Sequence, residues 1–302
     1  VKPITHIFDV EPGHYDVSVV IGGATTQVLA EARRLMVWAS PGDRPARRDF
    51  TVNVRTPESQ QNGFDGDGSP GLTLTFTGPD PEVSSVHLSP ARGRSLFLAG
   101  DSTVTDQATA PYTGWGQRLP RHFRRGLSVV NHSGSGESSA SFLAKPAMWA
   151  AMRDQLGPGD VALVQFGHND KHTSAVEFRA NLTRLVHGIE ARGAAPVLVT
   201  PVVRRRFRGG CLDQEGLIVN GLGVDLPAEV RAVAAAQGVA LIDLTAESRA
   251  LVEGLGPEGS ERLYLTREKG DDTHTSEHGA TLFADLVAAG LRRLGLVTPY
   301  LI

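Results

Sequence analysis

The sequence predicts an α/β protein: an open, doubly wound, five-stranded parallel sheet, preceded by a small antiparallel β-sandwich. Three observations point there. Over the first ninety residues apolar positions recur every second residue, the period of half-buried strands. Beyond Pro90 compact apolar runs alternate with longer helical stretches, the pattern of βα units. A polar stretch at Ala91-Arg92-Gly93 separates the two rhythms, dividing the chain into residues 1–92 and 93–302.

In the first part, "YDVSVVIGG" runs from Tyr15 to a turn at Gly22-Gly23. "RDFTVNVR" sets Phe50, Val52 and Val54 on one face and Thr51 and Asn53 on the other. "LTLTFTG" repeats this with Leu72, Leu74 and Phe76, and "VSSVHLSP" closes the section. Short strands, Gly/Pro/Asp-rich connections and no clear helix suggest a sandwich. "NGFDGDGSPG" (Asn62 to Gly71) has the look of a calcium loop but lacks the downstream glutamate, so a hairpin turn is expected.

In the second part, five strands are expected at "SLFLAG", "LSVVN", "VALVQFG", "APVLVTP" and "VALIDL", which fits an open sheet better than an eight-stranded barrel. The last segment spaces Leu282, Phe283, Leu286, Val287 and Leu291 along one helical stripe, with Ser276 as N-cap.

Composition narrows the function classes. The 302 residues suffice for a large core without disulfides, and Cys211, the only cysteine, can form none within the chain. A net charge of −3 gives no overall reason to bind nucleic acid or an anionic membrane. No apolar stretch approaches the ~20 residues that span a bilayer. The chain opens on Val1 rather than Met, with no leader; a removed segment accounts for both, as does trimming. An extracellular setting is expected ahead of a cytoplasmic one, and a monomer is expected.

Ligands of open parallel sheets bind beyond the carboxyl ends of the strands. The first strand delivers Gly100-Asp101-Ser102, the second Asn131 and "HSGSGESS", the third Gly167-His168-Asn169-Asp170, and the fourth Arg204-Arg205-Arg206. "DDTH" (Asp271 to His274) precedes the final helix. Each alone is ordinary turn chemistry. Together they place a nucleophile, oxyanion donors, an acid–base pair and cations on one rim. "SGSGESS" matches neither phosphate-binding glycine pattern, no His/Cys spacing suggests zinc, and "GDST" departs from a Gly-x-Ser-x-Gly elbow. His172, His278 and Asp170 acquire no role.

The blocks "AGDSTVTDQ…GWGQRLPRHF", "NHSGSGESSASF", "QFGHNDKH" and "DDTHTSEHGA" resemble the SGNH, or GDSL-type, hydrolase superfamily, and within it the rhamnogalacturonan acetylesterase group of carbohydrate esterases. The resemblance covers about Ser95 to Arg292. It implies a three-layer α/β/α, flavodoxin-like catalytic domain, with a galactose-binding-like or accessory sandwich before it. It implies Ser102 as nucleophile, His274 as general base and Asp271 as its orienting carboxylate, with Asp272 the alternative. It assigns the oxyanion hole to the backbone N–H groups of Ser102 and Gly136 and the side-chain amide of Asn169. No cofactor and no metal are implied. Related sequences commonly carry arginine directly after the second-block glycine, where this chain has Glu137. The backbone donor is expected to survive that change, and substrate preference is what it touches.

Four further residues are candidates for the substrate. Arg204 and Arg206 suit the carboxylate of a galacturonate, although ion pairs with nearby acids are the expected alternative. Trp115 offers a flat face to a sugar or packs beneath the loop. His168 sits beside Asn169, read as orienting that loop. The expected activity is removal of O-acetyl groups from an acetylated oligo- or polysaccharide such as rhamnogalacturonan. The alternatives are a general short-chain esterase or lipase, and a carbohydrate-binding protein with an inert hydrolase half.

Overall fold

Strand alternation in the first part does produce two packed sheets. The computed structural model describes residues 2–22, 26–38, 45–55 and 70–302, so most of the calcium-loop look-alike and Gly23 lie outside the described residues. The strands are β1 (Ile4–Phe8), β2 (Gly13–Gly22), β3 (Gln27–Ala30), β4 (Arg34–Val37), β5 (Ala46–Val54), β6 (Leu72–Thr77) and β7 (Glu82–Pro90). They form two antiparallel sheets in the orders β1-β6-β3-β4 and β5-β2-β7. Leu72, Leu74 and Phe76 of β6 face Val17, Val19, Phe50 and Val52 in one core. Each such side chain stabilises by about 1.5–3 kcal/mol when fully buried, and a one-residue slip would expose all three from β6. The polar face of β5 differs from expectation. Thr51 and Asn53 are buried too, because β5 lies against the second half of the chain, where Thr51 Oγ1 accepts the N–H of Gly126 at 2.8 Å.

That half contains β8 (Arg94–Ala99), α1 (Trp115–Arg118), β9 (Leu127–Asn131), α2 (Ser139–Ala144), α3 (Ala151–Gln155), β10 (Val161–Val164) and α4 (Ala175–Glu190). Then come β11 (Ala195–Val199), a small hairpin of β12 (Phe207–Arg208) and β13 (Cys211–Leu212), α5 (Leu226–Gln237), β14 (Ala240–Ile242) and α6 (Leu244–Gly259), bent at Gly256. Last are β15 (Tyr264–Leu265), α7 (Thr266–Lys269), β16 (Asp271–Thr275) and α8 (Glu277–Arg293). Five strands form the expected parallel sheet in the order β14-β11-β10-β8-β9. Along β8, Leu96 and Leu98 pack with Phe283 and Val287 of α8, while Phe97 and Ala99 pack with Phe142 of α2 and Phe178 of α4. Apolar cover on both faces explains the unbroken hydrophobic runs and makes three layers.

The strand order fixes where a site can form. From β8 the chain steps to the edge at β9, then crosses back to β10 on the other side of β8. Strand order reverses there, so a crevice opens beyond the carboxyl ends of β8 and β10. Ser102 follows one of these strands and Asn169 the other. The final helix behaves as its stripe predicts. Ser276 accepts the N–H of Gly279 at 3.1 Å, and Phe283, Val287 and Leu291 are buried, whereas Leu282 and Leu286 are only partly so.

Candidate active site

Ser102 leaves β8 through a turn with no room to move. A Cβ on Gly100 would meet Val104 Cγ2 at 2.6 Å, so only glycine lets the chain turn this close to its own next residues. The carbonyl of Asp101 accepts the N–H groups of Val104 and Thr105, both at 3.0 Å. Its carboxylate, fully buried, accepts Thr103 N–H at 2.9 Å, the Thr103 hydroxyl at 2.8 Å and His168 Nδ1 at 3.1 Å. Burial alone would raise this carboxyl, but the His168 ring and the Thr103 donors outweigh it and hold it below its ordinary value.

His274 is on β16, a short strand paired with β15. Its Nε2 lies 3.0 Å from Ser102 Oγ, and its Nδ1 lies 2.6 Å from Asp271 Oδ2. Asp271 Oδ1 also accepts the backbone N–H groups of Thr273 and His274, at 2.8 and 2.9 Å. Burial opposes ionisation of Asp271, but these bonds prevail and keep its carboxyl well below the usual range. An ionised Asp271 holds the Nδ1–H tautomer, which leaves Nε2 to accept from the serine hydroxyl. Asp272, the alternative orienter, is committed elsewhere, pairing with Arg205 at 2.9 Å and accepting the Thr266 hydroxyl at 2.7 Å.

The oxyanion candidates converge on the same end of the sheet. The backbone N–H groups of Ser102 and Gly136 find no acceptor among the described residues. Gly136 has φ of +80° and open space where a Cβ would stand, so backbone conformation rather than crowding favours glycine. Asn169 donates from Nδ2 to the Glu137 carbonyl at 3.1 Å, which anchors its amide against the Gly136 loop and leaves a second amide hydrogen. Glu137 puts no loose charge beside this loop. Its buried carboxylate accepts the Ser141 hydroxyl at 2.6 Å and pairs with Lys145.

Three candidates are corrected as substrate contacts, and each takes the packing, orienting or ion-pair reading given beside it. Trp115 is 1% exposed and donates its indole N–H to Gln165 Oε1 at 2.9 Å, so it supports the nucleophile turn and offers no face to a sugar. His168 is equally buried, its ring turned to Asp101. Arg206 pairs with Glu215 at 2.7 Å and borders a small hollow beside Asp272. Arg204 is placed differently. It donates to the His168 carbonyl at 2.8 Å, meets Glu215 at 3.2 Å, and lines a cleft of about 690 Å³ with Gly167, His168, Lys171, His172 and Arg208. That cleft adjoins Asn169 through His168, although Ser102 and His274 do not line it.

Sequence reasoning missed several supports. Gln107 donates to the Ser102 carbonyl at 3.0 Å, and the edge of the Tyr112 ring meets the His274 ring, with centroids 5.4 Å apart. Gln107 stands in the same motif block as Ser102, so its nearness was open to inference; nothing in sequence ties Tyr112 to His274. Among the described residues no group of three or more His, Cys, Asp and Glu is arranged to hold a metal ion, and no helix is long and apolar enough to cross a membrane.

A model of the GDSL-like Lipase/Acylhydrolase family matches residues 98–282, more than half of the chain. The chain belongs to this family. It is therefore a carboxylic ester hydrolase of the SGNH kind. This esterase is 39% identical over 217 residues to the rhamnogalacturonan acetylesterase RhgT of Bacillus subtilis, covering 67% of this chain and 90% of the relative. It is 33% identical over 211 residues to a probable rhamnogalacturonan acetylesterase, YesY, of the same organism, covering 67% and 94%. The crystal structure of the Bacillus subtilis protein YxiM matches 97% of this chain and 80% of its own, with a TM-score of 0.61 and 26% identity. That match includes the sandwich as well as the hydrolase half.

Proposed function

We propose that this esterase removes O-acetyl groups from an acidic plant polysaccharide of the rhamnogalacturonan type, through an acetyl-enzyme on Ser102. The observation that carries the reading is the Ser102–His274–Asp271 relay, with contacts of 3.0 and 2.6 Å. His274 Nε2 takes the hydroxyl proton as Ser102 Oγ attacks the acetyl carbonyl carbon. The negative charge on the carbonyl oxygen falls to the N–H groups of Ser102 and Gly136 and the Asn169 amide. On collapse the bond to the sugar oxygen breaks, and His274 returns its proton to that oxygen. Water, deprotonated by the same nitrogen, then releases acetate and restores the serine. No step calls for a cofactor.

The names of the relatives support the sugar substrate. Lys171, Arg204 and Arg208, which line the neighbouring cleft together with Asp213 and Glu215, support its acidity, since cations in a cleft that adjoins Asn169 suit the carboxylates of uronate units flanking the acetylated sugar. The test is acetate release from a panel of acetylated polysaccharides, parent against Ser102→Ala. The variant is expected to lose about 10⁴-fold or more in kcat. Equal release by both, or a preference for octanoyl over acetyl p-nitrophenyl esters, would refute the reading. Lys171→Ala and Arg208→Ala should lower kcat/KM about tenfold on acetylated galacturonate-containing oligosaccharides and leave p-nitrophenyl acetate turnover unchanged. Equal losses on both would remove the carboxylate role.

A further inference from the structure

The two halves meet through charged side chains that a merely adjacent module would not need. Arg34, the first residue of β4, is 3% exposed. Its Nε donates to Asp106 Oδ2 at 2.5 Å and its Nη1 to the Asn53 carbonyl at 2.9 Å. Asp106 lies four residues after Ser102, and its other oxygen accepts Asn131 Nδ2 at 2.9 Å. The same Asn131 amide donates to the Val104 carbonyl at 3.0 Å, and its oxygen accepts the Ser133 N–H at 3.1 Å. Arg55, at the end of β5, donates to the Asn131 carbonyl at 2.5 Å. One continuous chain of bonds thus runs from the sandwich, through the nucleophile turn, to the loop that carries Gly136.

Arg33 makes a second connection. Its Nη1 donates to the carbonyls of Gln107, at 3.2 Å, and Tyr112, at 3.0 Å. Gln107 in turn holds the Ser102 carbonyl and the Ser135 hydroxyl, at 3.0 and 3.3 Å, and Tyr112 abuts His274. Gln117 Nε2 closes the seam by donating to the Ala32 and Gln107 carbonyls. The Arg33, Arg34 and Gln117 bonds all meet the sandwich at the turn between β3 and β4 or at the first residue of β4.

We infer that the sandwich completes the catalytic site, with Arg33 and Arg34 acting as positioning residues for the Ser102 turn and the oxyanion loop. The inference rests on the serine-esterase reading above. Neither arginine touches the reacting atoms; Arg33 acts through Gln107, and Arg34 through Asp106 and Asn131, on the backbone of the Ser102 turn and of the loop that leads to Gly136. A displacement of the order of 1 Å in such backbone can cost about 10²-fold in rate. A guanidinium as buried as Arg34 also ties activity to folding, because removing it leaves the buried Asp106 carboxylate without its ion-pair partner.

The experiment uses the full chain and p-nitrophenyl acetate, with kcat and KM measured well below the melting midpoint of each variant. Arg33→Met removes two hydrogen bonds to carbonyls and leaves the Arg34–Asp106 pair. It should lower kcat about tenfold with KM nearly unchanged. Arg34→Met should lower kcat about 10–100-fold. The rate at which a fluorophosphonate modifies Ser102 should fall in parallel. Val19→Ala, which loosens the sandwich core away from the seam, should lower the melting midpoint and keep the parent kcat. If Arg34→Met does not fold, Arg33→Met decides alone. Parent kcat in folded arginine variants, or an equal kcat loss in Val19→Ala, overturns the inference. Ser102→Ala, assayed alongside, separates the two readings: retained activity there defeats the serine mechanism itself.

Discussion

Asp271 shows how two neighbouring residues of one type come to do different work. Asp271 and Asp272 are both carboxylates on β16, yet only Asp271 reaches the His274 ring, and Asp272 is spent on Arg205 and Thr266. Because its bonds hold the Asp271 carboxyl well below the usual range, it stays ionised in mild acid. Protonating it therefore cannot cause loss of activity in mild acid. Asp271→Asn should lower kcat by about 10³–10⁴ at every pH between about 5 and 8, by favouring the wrong tautomer. A variant that merely shifts the acid limb of a pH–rate profile would contradict this role, whereas Asp272→Asn should change kcat far less. The family resemblance put Asp271 ahead of Asp272, and the geometry around His274 agrees. The role of Trp115 was not legible in the sequence: a lone aromatic between two glycines has no periodicity to show which way its ring faces. Only the bond to Gln165 and near-complete burial decide it.

At the scale of elements, the apolar runs were legible because β8, β9, β10 and β11 are buried along nearly their whole length on both faces, and so were the candidate residues that follow them. Short elements were not. β3 and β4 have four residues each, too few to display a period of two, and α2 has six, fewer than two helical turns. Yet α2 holds the loop that carries Gly136. Its N-terminus is pinned to the loop after β10, where buried Asp170 accepts the Ser139 N–H at 3.1 Å and the Ser139 hydroxyl at 2.6 Å. Burial pushes this carboxyl upward, and the bonds from Ser139 oppose it. Asp170→Ala leaves those donors without their acceptor, so it should destabilise the protein by roughly 2–4 kcal/mol. It should also lower kcat, because Asn169 and Gly136 flank the two ends of that link. Thermal melting and turnover of p-nitrophenyl acetate measure both. A variant with parent stability would show the link to be incidental.

For the whole molecule, the seam between sandwich and parallel sheet joins residues far apart in sequence, which is why no local pattern announced it. It also contains a carboxyl that the catalytic steps do not use. Glu31 accepts the Thr73 N–H at 3.1 Å and lies near Arg34 and Asp106. Burial raises its pKa from 4.5 to about 7; Arg34 and the Thr73 bond pull downward, and Asp106 adds to the rise. The folded protein thus keeps a proton that the unfolded chain releases near pH 4.5. Between these values the folded state binds more protons, so this group's contribution makes stability fall as pH rises, and the loss is complete above about pH 7. The full effect is at most on the order of 3 kcal/mol. Two imidazoles, the buried His132 and the half-buried His14, act in the opposite sense. His14 and His132 are both lowered, chiefly by burial, so they destabilise the fold in acid and their contribution improves as pH rises. A melting curve of the parent alone therefore mixes the two trends. Glu31→Gln isolates one of them. The difference in melting midpoint, variant minus parent, should be small at about pH 5 and grow in the variant's favour up to about pH 8. A difference that stays constant across that range would mean that Glu31 is ionised in the fold throughout, with Arg34 serving Glu31 and Asp106 together.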